Sequence, residues 1–156
     1  DHMLTALAFY AGFGFELSAL GDLHVDGHHT VEDVGIVLGQ AFREALGDRR
    51  GIRRYGVASV PMDEALCRTV LDCSNRPYLV FDAPMPQPVI GGYDSCLTVE
   101  FMRAFTVNSG ITLHQKCEYG GNAHHITEAL FKSLGLALKD AVRVERDAVT
   151  STKGAL

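Results

Sequence analysis

The chain has no tryptophan, and only 8% of its 156 residues are aromatic. Basic residues are the minority, 14 Lys and Arg against 19 Asp and Glu, for a net charge of −5. That balance argues against a nucleic-acid backbone or an anionic membrane as the main partner, since both select basic surfaces. No apolar run approaches the ~20 residues that span a bilayer, and no basic start followed by an apolar middle marks a signal peptide. A soluble, cytoplasmic protein is expected. Cys67, Cys73, Cys96 and Cys117 lack CxxC spacing and stand in apolar contexts. Buried, reduced thiols are expected of them, in place of disulfides or metal ligands. With 47% hydrophobic residues the chain suffices for one sizeable core, and its length is too short for two domains of ordinary size.

What stands out against this plain background is imidazole beside carboxylate. His28-His29-Thr30-Val31-Glu32 and His124-His125-Ile126-Thr127-Glu128 share one pattern and hold four of the seven histidines. The likeness runs on past the motif. Laying 28–46 over 124–142 pairs Leu38 with Leu134, Gly39 with Gly135, Phe42 with Leu138, Arg43 with Lys139, Glu44 with Asp140 and Ala45 with Ala141. Common residues falling in one gap-free register argue for an internal duplication. The chain therefore reads as one domain of two similar halves, about 1–82 and 93–144, followed by a polar tail, 145–156, expected to be flexible.

Periodicity and turn residues predict the elements. A short helix covers 3–10 and ends at Gly12 and Gly14; strands follow at 13–20 and 23–25, and a helix from 28 to about 46. Strands are expected at 55–60, 65–72 and 78–81, interrupted by Pro61 and by Ser74-Asn75-Arg76-Pro77, with a loop at 84–92. A helix at 96–107, a strand at 111–118 and a helix at 124–143 complete the chain. The order strand, turn, HH-helix would thus occur twice, in an α+β fold whose mixed or antiparallel sheets pack against helices.

Neighbouring residues on a helix project ~100° apart, so His28 and His29 cannot readily chelate one ion together. Each doublet should divide between two metals. Glu32 lies four residues from His28 and three from His29, on a face shared with either, and Glu128 stands in the same relation to His124 and His125. Mixed nitrogen and oxygen ligation with open positions suits Mn, Fe, Co or Zn. The HExxH order of the metalloproteases is missing, which counts against a zinc hydrolase on an unrelated fold. His114 and His2 are further candidate ligands. Arg49, Arg50, Arg53 and Arg54 cluster around Gly51, Arg76 sits in a tight turn, and Lys153 follows Ser151-Thr152; guanidinium and hydroxyl donors of this kind fit a phosphate. The residues by themselves point to a dimetal site that handles a small molecule, with a phosphate among the groups it is equipped to bind.

Nine segments, in order along the whole chain, resemble one family. They are Asp1-His2-Met3-Leu4, Gly21-Asp22-Leu23-His24-Val25-Asp26, His28-His29-Thr30-Val31-Glu32-Asp33, Gly51-Ile52-Arg53-Arg54-Tyr55-Gly56, Pro61-Met62-Asp63-Glu64-Ala65, Ser74-Asn75-Arg76-Pro77-Tyr78, Thr112-Leu113-His114, His124-His125-Ile126-Thr127-Glu128-Ala129 and Ser151-Thr152-Lys153-Gly154. The family is imidazoleglycerol-phosphate dehydratase, of histidine biosynthesis. The resemblance implies a lyase that removes water from imidazole glycerol phosphate to give imidazole acetol phosphate, with two Mn2+ ions per active site. It implies duplicated half-domains of the ferredoxin-like kind seen in ribosomal protein S5 domain 2. It also implies a closed homo-oligomer of about 24 subunits with active sites at subunit interfaces.

Carried over position by position, the metal ligands are His2, His28, His29, Glu32, His114, His124, His125 and Glu128. Arg54, Arg76, Ser151 and Lys153 contact the substrate phosphate, and the tail orders when phosphate binds. The carbon-bound proton to be lost is not acidic, so cations beside the imidazole would take up the developing charge, with Glu32 or Glu128 moving protons. The family carries further strands ahead of the Asp1-His2-Met3-Leu4 segment that are not in this sequence, and Tyr10 stands where it usually has histidine. These departures leave a second expectation in play, a catalytically impaired, metal-binding, shell-forming homologue or fragment.

Overall fold

A computed structural model describes residues 1–153. Four helices and six strands follow one another as α1 (His2–Ala11), α2 (His28–Leu46), β1 (Tyr55–Met62), β2 (Ala65–Asp72), β3 (Tyr78–Asp82), β4 (Val89–Ile90), β5 (Tyr93–Asp94), α3 (Leu97–Ser109), β6 (Thr112–Tyr119) and α4 (Ala123–Ala141). The main sheet has the order β1-β2-β6-β3, and β4 and β5 form a separate small hairpin. β1, β2 and β6 are antiparallel neighbours, whereas β3 runs parallel to β6. The crossover from β3 to β6 passes through α3, as a parallel connection requires. The fold is α+β with a mixed sheet, as expected.

Three layers result. α4 lies on β1 and β2, α3 on β3, and an outer pair covers them, α1 against α4 and α2 against α3. The core sits between sheet and inner helices, where Leu71, Met102, Ile111, Leu113, Leu134 and Leu138 are almost wholly shielded from water. Close approach at glycine sets the spacing. A Cβ on Gly39 would lie 2.8 Å from the Phe105 carbonyl oxygen, and one on Gly135 would lie 2.7 Å from that of Leu7. These two glycines pair in the duplicated register, and each is where its helix meets the outer or inner neighbour backbone to backbone. Gly56 is tighter still, since its Cβ would come within 1.9 Å of the Ala137 carbonyl oxygen. Here β1 is pressed directly onto α4.

Three expectations are corrected. Residues 13–20 and 23–25 form no strand, and the order strand, turn, HH-helix appears only once, as β6 into α4. A strand is completed by hydrogen bonds to a neighbour, and no strand lies beside this segment among the described residues. Leu20, Leu23 and Val25 accordingly stay exposed. Pro61 does not interrupt β1, because β1 is an edge strand on which a missing N–H is tolerated. All four cysteines are free, yet only Cys67, Cys73 and Cys117 are buried; Cys96, just before α3, is exposed. Burial pushes the Cys73 thiol up to about 12.

The stretch 145–153 is held against the segment entering β1. The Gly51 carbonyl accepts from the backbone N–H of Glu145 at 2.9 Å, the Gly51 N–H donates to Ala148 at 3.1 Å, and the Thr150 hydroxyl donates to the Ile52 carbonyl at 2.8 Å. Gly51 has φ 80°, and a Cβ there would meet the Arg146 carbonyl oxygen at 2.5 Å. Glycine is required for this approach.

Candidate functional site

α4 starts where its side chains fix it. The Asn122 carboxamide oxygen accepts from the N–H of His124 at 2.9 Å and of His125 at 3.4 Å, satisfying donors that the first turn leaves free. Asp26 does the same for His28 at 2.8 Å, two residues before the other motif. Gln87 and Glu64 hold the turn before α4 from outside. Gln87 donates to the Gly121 carbonyl and accepts from the Ala123 N–H; Glu64 accepts from the N–H of Gly121 and Asn122. Both doublets therefore occupy the pinned first turn of a helix.

At the head of α4 three predicted ligands converge. Glu128 Oε2 lies 3.0 Å from His2 Nε2, carried by α1, and 3.2 Å from His124 Nε2, one turn back on α4. The two rings stack at 6.0 Å between centroids. One ligand atom from each of the three residues lies within 4.8 Å of the others, the only such cluster of three among the described residues. Lys132, a further turn along, holds Glu128 Oε1 at 2.6 Å, and its ammonium lies 5.6 Å from the centre of the Tyr10 ring. Burial alone would raise the Glu128 carboxyl; hydrogen bonds from Lys132 and His2 outweigh it and hold the group at about 2. Tyr10 thus packs against the lysine that keeps Glu128 ionised.

The second histidines point elsewhere, as helical spacing requires. The His124 and His125 rings stand at 83° to each other. His125 Nδ1 lies 2.7 Å from Glu64 Oε2, and His29 Nδ1 lies 2.8 Å from Asp22 Oδ2. Each hydrogen bond raises its imidazole above the usual value, and the His125 contact is the main cause that holds Glu64 down at about 2. His28 and Glu32 approach to 3.9 Å at an open surface. His114 is exposed on the face of β6 turned away from α4, between Val70 and Val80 of the flanking strands. Of the eight predicted ligands, then, His2, His124 and Glu128 meet within one chain, while His28, His29, Glu32, His114 and His125 do not join them.

All four predicted phosphate contacts line a single cavity of about 790 Å³, together with Arg146. Arg54, with φ 80°, is locked there: Nε and Nη2 donate to the two oxygens of Asp72 at 2.6 and 3.0 Å, and Nη1 donates to the Thr150 carbonyl at 2.7 Å. Arg76 lies 3.8 Å from the same Asp72 and is mostly exposed, leaving its guanidinium available. The rest of the arginine cluster serves the fold. Arg49 is buried and donates to the Ser109 carbonyl, Arg50 pairs with Asp147, and Arg53 pairs with Asp140.

Sequence reasoning passed over Asp22, Glu64, Asp72, Lys132 and Arg146. Lys132 had a readable signal, because it stands four residues after Glu128 on one helix face. The others meet their partners only through the fold.

The cluster and the cavity lie at opposite ends of α4. Arg54 accompanies the last turn, its N–H donating to the Ala141 carbonyl at 2.8 Å. Thirteen residues of helix separate Glu128 from Ala141, roughly 20 Å at 1.5 Å per residue.

An α+β domain carries, at one end, a His-His-Glu cluster that could hold a metal ion and, at the other, an arginine-lined cavity of a kind that suits an anionic group. The family model for imidazoleglycerol-phosphate dehydratase matches residues 1–138. The imidazoleglycerol-phosphate dehydratase of Gluconobacter oxydans is 57% identical over all of this chain and 80% of its own length, and that of Maridesulfovibrio salexigens is 51% identical over the same shares. The crystal structure of the Staphylococcus aureus dehydratase superposes with a TM-score of 0.87 at 42% identity, covering 92% of this chain and 81% of that one. The Pyrococcus furiosus structure, in complex with (S)-C348, gives 0.83 at 41% identity, covering 100% and 85%. The chain belongs to the imidazoleglycerol-phosphate dehydratase family, whose named members are hydro-lyases.

Proposed function

We propose that this protein is a hydro-lyase that dehydrates imidazole glycerol phosphate to imidazole acetol phosphate in histidine biosynthesis, with divalent metal ions, Mn2+ by the family resemblance, held by the two HHxxE motifs. The observation that carries the metal reading is the convergence of His2, His124 and Glu128, whose two nitrogens and one carboxylate oxygen form a donor set suited to a divalent cation with positions left open. Such an ion, when bound, supplies a fixed positive charge beside the substrate's imidazole.

The chain's own residues supply the rest. Arg76, Ser151 and Lys153 would grip the phosphate from the cavity wall, with Arg54 held rigid behind them by Asp72. Glu128, ionised down to about 2 and tied to Lys132, suits a ligand better than a proton donor at neutral pH. Glu32, with its carboxylate half exposed and no closer partner than His28 among the described residues, is the better candidate to move a proton.

A small substrate cannot bridge the roughly 20 Å between cluster and cavity on one chain. The active site is therefore assembled from several subunits, one giving the end of α4 that bears the cluster and another the phosphate cavity. This favours the closed homo-oligomer, about 24 subunits by the resemblance. His28, His29, Glu32, His114 and His125 would be brought to the metals across those interfaces. The deciding experiment is turnover: chain purified with Mn2+ should convert imidazole glycerol phosphate. Two metals bound per subunit without conversion would favour the non-catalytic, shell-forming alternative.

A further inference from the structure

We propose that Glu64 and Asp22 are positioning residues: each accepts a hydrogen bond from Nδ1–H of the second histidine in a motif and so presents Nε2 as the metal-facing nitrogen. The proposal rests on the metal reading above. It goes beyond it by assigning the tautomer and the group that sets it.

Two independent contacts carry the inference. Glu64 Oε2 lies 2.7 Å from His125 Nδ1, and Asp22 Oδ2 lies 2.8 Å from His29 Nδ1. The carboxylates are not equivalent in the duplicated register. The position that pairs with Asp22 is Glu118, which is engaged instead with Lys116 at 3.3 Å. Each half thus reaches the same imidazole atom from a different loop. The Glu64 carboxylate is held from behind, and Asp22 is held through its backbone. Glu64 sits in the two-residue turn between β1 and β2, and its other oxygen accepts from the N–H of Gly121 at 3.1 Å and Asn122 at 2.8 Å. Asp22 follows Gly21, where any Cβ would fall 1.8 Å from the Thr30 hydroxyl, and its carbonyl accepts from the Val25 N–H at 2.8 Å. Glycine at 21 lets the chain lie flat on the start of α2 with Asp22 beside His29. The far nitrogen stays open: the nearest carboxylate to His125 Nε2 is the exposed Asp63, 3.6 Å away and beyond hydrogen-bonding distance. The first histidine of the second motif differs, since His124 turns Nε2 directly on Glu128. A carboxylate on the outer nitrogen of a ligating imidazole fixes the ring's orientation and raises its basicity.

The test begins with the metal-free 156-residue chain, labelled with 15N and observed at alkaline pH where imidazole is neutral. Long-range proton–nitrogen spectra should show His29 and His125 as Nδ1–H tautomers. Glu64→Ala should return His125 alone to the Nε2–H form that free imidazole prefers, and Asp22→Ala should do so for His29 alone. Glu64→Gln, which keeps an acceptor oxygen, should restore part of the Nδ1–H population. Calorimetric titration with Mn2+ should show a 10- to 100-fold weaker affinity in either alanine variant. An Nε2–H tautomer in the unsubstituted chain overturns the proposal without any variant having to fold. So does Mn2+ affinity unchanged in both alanine variants while the unsubstituted chain binds. No Mn2+ binding by the unsubstituted chain overturns the metal reading itself, and the proposal with it.

Discussion

Replacing Glu128 by glutamine tests the charge balance at the head of α4. The side chain is only 8% exposed, and its oxygens meet two imidazoles on one side and Lys132 on the other. Its carboxyl is held at about 2 against an ordinary 4.5. At about 1.4 kcal/mol per pH unit this corresponds to roughly 3 kcal/mol of stabilisation. His2 is largely exposed and its share is screened by water, which reduces the figure to roughly 2 kcal/mol. A carboxyl depressed on folding stabilises the protein above its unfolded value of about 4.5 and ceases to do so as pH falls toward about 2. Urea titration of the metal-free chain at pH 7 should therefore find Glu128→Gln less stable by roughly 2 kcal/mol, with a Tm lower by about 4–8 °C. The difference from the unsubstituted chain should close between pH 4.5 and 2. Added Mn2+ should raise the Tm of the unsubstituted chain by mass action and leave the variant unmoved. Equal stability at pH 7, or a gap that does not depend on pH, would refute the reasoning.

Gly56→Ala sets a Cβ 1.9 Å from the Ala137 carbonyl oxygen, so β1 must lift from α4; chemical denaturation should show a loss of about 3 kcal/mol or failure to fold. Arg76→Ala should weaken phosphate binding about tenfold, read by titration with inorganic phosphate, while elemental analysis finds the same metal content. His124→Ala removes a member of the three-ligand cluster and His28→Ala a predicted ligand that lies outside it. Both should lower metal content, and light scattering should show smaller assemblies. Unchanged stoichiometry in both would sink the assignment of the HHxxE motifs as ligands.

The sequence alone determined the helices and their chemistry. The doublet at each helix start, the carboxylate one turn on and the divergence of adjacent imidazoles follow from 3.6-residue periodicity, which is local and needs no tertiary partner. The duplication was legible for the same reason, and the pairing of Gly39 with Gly135 proved to mark two equivalent helix contacts. Strands were readable only where a neighbour exists. Residues 13–25 carry strand-like alternation, yet no strand lies beside them among the described residues. Only the tertiary structure decided which ligands meet. It brought His2 to Glu128 across 126 positions of sequence, set Glu64 against His125 across 61, and left the predicted phosphate contacts at the far end of α4. Those contacts depend on how α1 crosses α4 at Gly135 and on where the β1–β2 turn lands, which are properties of packing between distant segments.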